Sequence, residues 1–122
     1  MPSENERRFP KALYETGQEP DPRFSLANER TFLAWIRTGV ALIAAGIAIE
    51  VFASSVHSGL RLAAAIILIL AGIGAPVQAW FGWLRNERAL RNSTPLPAPK
   101  LSAPLAAVVV IAGLLVLVGF FL

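Results

Sequence analysis

"NERTFLAWIRTGVALIAAGIAIE", residues 28–50, decides the fold. From Phe32 onward almost every residue is apolar. Roughly 20 such residues as helix cross a hydrocarbon core of about 30 Å. Two charges interrupt the pattern: Arg37 sits five residues after Phe32, and Glu50 closes the run. Charge within a membrane span is costly, so each must find a protein partner, a watered cavity or the interface.

The rest of the chain reads the same way. It has 122 residues, 55% of them hydrophobic, and a mean hydropathy of +0.57. That composition points to a membrane class. Three stretches are long enough to span: 32–52, 60–84 and 104–122. "ASSVHSG" makes a short turn between the first two. "RNERALRNSTPLPAPKLSAP" separates the last two, its prolines favouring a stiff extended linker. Residues 1–24 are polar and mixed in charge, without the apolar core that a signal peptide needs. They are expected to form a mobile tail that stops where Asp21-Pro22 offers a helix cap and first residue. The expected organisation is a cytoplasmic tail over 1–24 and an all-α, three-helix membrane domain over 25–122.

Orientation follows from the basic residues. Arg23 and Arg30 flank the first span, and Arg85, Arg88, Arg91 and Lys100 lie between the second and third. The first turn has only Arg61 beside it, and the C-terminus has none. The N-terminus and second connection are therefore expected in the cytoplasm, and the C-terminus outside. Trp35, Trp80 and Trp83 fall at the same predicted cytoplasmic boundary, where indole rings prefer to sit.

Much chemistry is disfavoured. The chain has no cysteine and one histidine, His57, so no metal-ligand cluster is read and no cofactor is expected. No catalytic set stands out, and an enzyme is the least favoured class. The net charge of +3 flanks apolar segments, which fits lipid headgroups and topology rather than nucleic acid.

On the first helix, Arg30, Ala34, Arg37, Ala41, Ala44, Ala45 and Ala48 share one stripe at 100° per residue. Small residues permit close helix approach, so Ala34, Ala41, Ala45 and Ala48 are expected to pack. Arg30 and Arg37, about 20° apart on the helix, would face protein or water. The competing reading of Arg37 is snorkelling, since it lies only about 7 Å inside Phe32. Glu50 is expected to pair with Arg61 across the short turn, and Glu29 with Arg85 or Arg88. Pro76, near Gly72 and Gly74, suggests a kink. The third span has no polar side chain past Pro104 and should face lipid. The triplet Asn-Glu-Arg at 5–7, 28–30 and 86–88 has unmatched flanks and reads as coincidence.

"DPRFSLANERTFLAWIRTGVALIAAGI" and "WLRNERALR" resemble the YidH-like family of small bacterial inner-membrane proteins, domain-of-unknown-function family 202. The specific motif is Ala27, Asn28, Glu29, Arg30, Thr31, Phe32, Leu33, Ala34 and Trp35. The same stretch is similar to the membrane domain of the eukaryotic vacuolar transporter chaperone complex. That resemblance implies a ring of three-helix subunits around a basic, polyphosphate-conducting pore. It assigns a polyanion-facing role most directly to Arg30, only loosely to Arg85, Arg88 and Arg91, and not to Arg37. With no polymerase domain read in these 122 residues, synthesis is not expected of this chain. The expected function is a homo-oligomeric, channel-like inner-membrane protein with an arginine-lined cytoplasmic mouth for anions or polyanions. The alternatives are a non-conducting structural or regulatory subunit and a lipid-binding scaffold.

Overall fold

The computed structural model describes residues 8–96 and 102–122. Among these residues are four helices in chain order: α1 (Lys11–Tyr14), α2 (Pro22–Phe52), α3 (Ser58–Arg91) and α4 (Ser102–Phe121). No strand occurs among the described residues. The last three are long and apolar enough to cross a membrane.

The helix ends follow local chemistry. Asp21 caps α2: its Oδ1 accepts the Arg23 backbone N–H at 2.9 Å, and Pro22 occupies the first turn, where a missing N–H costs nothing. The helix therefore starts at Pro22, inside the stretch assigned to the tail by sequence. At the other end of α3 the helix does not stop near Leu84. Arg85, Arg88 and Arg91 stand on its last turns rather than in a loop. It closes at Ser93, in the left-handed region at φ 55°. Ser93 N–H donates to Leu90 O at 3.3 Å and Thr94 N–H to Ala89 O at 2.9 Å. This is the Schellman arrangement, with serine where glycine is usual and Pro95 just beyond. The proline-rich connection continues into residues 97–101, and with Lys100 and the triplet at 5–7 lies outside the described residues.

The chain divides into two compact units, residues 1–34 with 78–98 and residues 35–77 with 99–122. In the second, α2 and α3 run antiparallel at very close approach. A Cβ built on Gly39 would lie 2.7 Å from the Gly72 carbonyl oxygen and 3.0 Å from Pro76 Cδ; one on Gly72 would lie 2.7 Å from the Gly39 oxygen. A Cβ on Gly46 would meet Ala65 O at 2.8 Å. Leu42, Ala64, Leu68 and Ala112 form the buried centre, with Ile49, Leu105 and Leu115 around it. At the turn, His57 N–H donates to Gly119 O at 2.9 Å, and Val56 Cγ1 occupies the space a Gly119 side chain would need.

This geometry corrects the packing expected of the alanine stripe. Gly39, Leu42 and Gly46 are the buried face of α2, whereas Ala41, Ala45 and Ala48 are exposed and Ala34 is half-buried. Two small-residue faces compete on this helix. The glycine face wins inside the chain because, without Cβ, backbone can meet backbone, which alanine does not allow. α3 is continuous through Pro76.

Candidate functional site

The first unit is built on two of the Asn-Glu-Arg triplets, which the antiparallel helices bring face to face. Successive helical residues turn by 100°, so only part of each triplet can point inward. From the first triplet this is Asn28, 7% exposed; from the second it is Glu87, 3% exposed. Asn28 Nδ2 donates to Glu87 Oε1 at 3.3 Å and to Trp83 O at 3.1 Å. Asn86 Nδ2 donates to Asn28 Oδ1 at 3.1 Å, and Ser25 Oγ to Glu87 Oε2 at 3.2 Å. The triplets are not a sequence repeat. They are two halves of one polar clasp, and periodicity analysis along a single chain has no signal for such a pairing.

The remaining motif residues surround the clasp. Phe32 meets Trp80 edge-on at 6.3 Å, and Trp80 stacks on Trp83 at 5.4 Å. Thr31 Oγ1 donates back to Ala27 O at 3.2 Å. Ala27, Glu29, Arg30, Thr31 and Leu33 are exposed, and Trp35 is half-buried.

The arginines separate into two kinds. Arg30, Arg37, Arg85 and Arg88 are exposed, and among the described residues no ion pair includes them. The expected pairing of Glu29 with Arg85 or Arg88 is absent from those pairs. Arg91 is the correction: it is 3% exposed and cannot line an open mouth in this arrangement. Its Nη2 donates to Tyr14 O at 2.8 Å, its Nε to Thr16 O at 2.8 Å, and its Nη1 to Glu19 Oε1 at 3.3 Å. In the second unit, Arg61 Nε lies 3.5 Å from Glu50 Oε2, and Arg61 Nη1 donates to Ala53 O at 3.3 Å.

Arg91 holds residues 8–21 against the end of α3, so these residues are a docked strap rather than a free tail. Leu13 is fully buried. Gln18 N–H donates to Arg91 O at 2.9 Å. Gly17 sits at φ 58°, and a Cβ there would lie 2.2 Å from the Arg91 carbonyl oxygen. Phe9 stacks on Trp80 at 6.1 Å. Arg8 pairs with Glu19 and lies 4.1 Å from the centre of the Tyr14 ring. A cleft of about 430 Å³ opens beside these groups, lined by Tyr14, Glu19, Ser25, Glu29, Trp83 and Glu87 among others.

The electrostatics of the strap set a pH dependence. The hydrogen bond from Arg8, and after it that from Arg91, holds the Glu19 carboxyl below the usual carboxylate range. Burial, followed by the charge of Glu87, pushes the Tyr14 hydroxyl up. The charge of Glu19 adds to that upward push, while those of Arg8 and Arg91 oppose it. Because its folded value is the lower one, Glu19 contributes attachment in full above its unfolded value of about 4.3, and that contribution is lost as pH falls through the depressed value. Tryptophan fluorescence of the purified protein should be steady from neutral pH down to that range and change below it as Phe9 leaves Trp80. Glu19→Gln should abolish the acid step; an unchanged step would assign it to another carboxyl.

Residues 23–89 match the Domain of unknown function (DUF202). Inner membrane protein YidH of Escherichia coli (strain K12) is 45% identical over 82 residues, 66% of this chain and 71% of the relative. Uncharacterized protein Rv2272 of Mycobacterium tuberculosis (strain ATCC 25618 / H37Rv) is 36% identical over 103 residues, 84% of each chain. No solved structure matches. The matched segment includes the clasp and Arg30, Arg37, Arg85 and Arg88, and excludes the strap and Arg91.

Proposed function

The chain belongs to the DUF202 family and is a multi-pass inner membrane protein, and from that premise we propose that it self-associates into a channel-like assembly with an arginine-lined cytoplasmic mouth for anions. The N-terminus and the connection after α3 lie on the cytoplasmic side, following the bias of Lys and Arg. The observation that carries the reading is Arg37: an exposed guanidinium within an apolar span, on the helix face that the chain's own packing leaves unused. A cation facing hydrocarbon alone is unfavourable, so this face calls for a second copy, water or lipid phosphate. Exposed Ala41, Ala45 and Ala48 on the same face suit the close approach of another helix.

Arg30 stands two stripe positions before Arg37, with Arg85 and Arg88 also exposed. A ring of such residues gives anion selectivity by raising the local potential where screening is weak. Polyphosphate is the polyanion suggested by the resemblance to the vacuolar transporter chaperone membrane domain. No cofactor and no catalysis are part of the proposal.

Planar-bilayer conductance and tripolyphosphate binding test it, together with oligomer size in detergent. Arg30→Gln and Arg37→Gln should each weaken anion conductance or binding while the oligomer stays intact. Ala45→Leu should disperse the oligomer while the monomer keeps its helices. A monomeric wild type, silent in both assays, rejects the channel and leaves a headgroup-binding scaffold or a non-conducting subunit.

A further inference from the structure

The clasp has a second feature beside it that the family match does not cover. Glu19 sits between two guanidinium groups, Arg8 and Arg91, one of them almost fully buried. Every nitrogen of Arg91 is engaged, two on strap carbonyl oxygens and one on the Glu19 carboxylate. Paired guanidiniums are the recognition chemistry of oxyanions, and their fork geometry fits phosphate as well as carboxylate. The chain thus places its own carboxylate in an anion site at the base of the strap.

We propose that the Arg91 guanidinium is a phosphate-oxyanion site, that Glu19, held there together with Arg8, occupies it in the closed state, and that a phosphate-bearing ligand displaces Glu19 and releases the strap, Arg8 included. A phosphate bound by Arg91 in fork geometry takes the nitrogens that hold Tyr14 O and Glu19, so binding and strap attachment exclude each other. Release also takes Phe9 off Trp80. The anion class deepens the reading above and rests on it; the latch rests on its own contacts. The phosphate can come from an anionic lipid headgroup or from solution, and the test separates the two.

The chain has no cysteine, so a single introduced thiol is a unique reporter. In full-length protein in a phosphate-free detergent, Leu13→Cys should react slowly with maleimide and Glu15→Cys quickly, since Leu13 is buried and Glu15 exposed. Tripolyphosphate at matched ionic strength should remove the protection of Leu13→Cys. Phosphatidylglycerol nanodiscs should do so, relative to phosphatidylcholine nanodiscs, if lipid is the source. Gly17→Ala and Arg91→Gln should remove it without any phosphate, the first through the backbone and the second through charge. Trypsin cleavage after Lys11 in the unsubstituted chain gives a readout that leaves the strap unaltered. Protection that survives both phosphate sources while Gly17→Ala loses it makes the strap a static brace and overturns the proposal. Protection that survives Gly17→Ala, or fast labelling of Leu13→Cys from the start, overturns the latch. Phosphate-driven release in a protein that conducts nothing leaves the latch standing and rejects only the channel.

Discussion

Gly39→Val is expected to break the α2–α3 pair, with a loss of thermal stability in detergent larger than that of any single substitution on the exposed alanine stripe. The new side chain starts 2.7 Å from the Gly72 carbonyl oxygen and 3.0 Å from Pro76 Cδ. Neither can move aside as a flexible side chain would, because one is backbone and the other is a ring closed onto backbone. Overpacking typically costs about 1–3 kcal/mol, and a backbone obstruction belongs at or above the top of that range. In a membrane the loss is not offset by hydrophobic burial, since helices associate through packing rather than by leaving water. Gly74→Val is the control, because nothing lies within 4 Å of a Cβ there. Equal midpoints for Gly39→Val, Gly74→Val and the unsubstituted chain would mean that this close approach does not hold the helices.

Asn28→Ala should have the second largest effect. It strands two groups at once, Glu87 Oε1 and the Asn86 side-chain amide, and removes a second donor from the Trp83 carbonyl, which keeps its helical bond. A buried polar group left without a partner costs about 1–3 kcal/mol. Asn28→Asp should be worse, because it sets a second carboxylate against Glu87, which is 3% exposed. Glu87→Gln keeps an oxygen for Asn28 and should be mild. This ordering separates a hydrogen-bonded clasp from simple filling of space, in which Asp and Asn would behave alike. Melting temperature of the purified variants reads it directly.

Three apolar runs of spanning length, the cap at Asp21 with Pro22, and the family motif were all legible in the sequence, because each is written in consecutive residues or in one helical period. The segment 8–21 was not: its polarity reads as solvated tail, and only Arg91, more than seventy residues later, shows what the polarity is for. The same holds for Arg91 itself, which the family resemblance set loosely in one basic row with Arg85 and Arg88. Burial removes it from that row, because two strap carbonyl oxygens and Glu19 lie within its reach.

The sequence by itself determined that this is a three-helix inner membrane protein of its family, since crossing a bilayer requires about 20 apolar residues in a row and the backbone must satisfy itself as helix. Which small residues pack was left to the tertiary structure. The alanine and glycine stripes on α2 are equally periodic, and only the partner helix, with Gly72 opposite Gly39, selects the glycine face. The two Asn-Glu-Arg triplets likewise acquire a meaning only when antiparallel helices set Asn28 against Asn86 and Glu87, because a hydrogen bond depends on distance in space and not on separation along the chain.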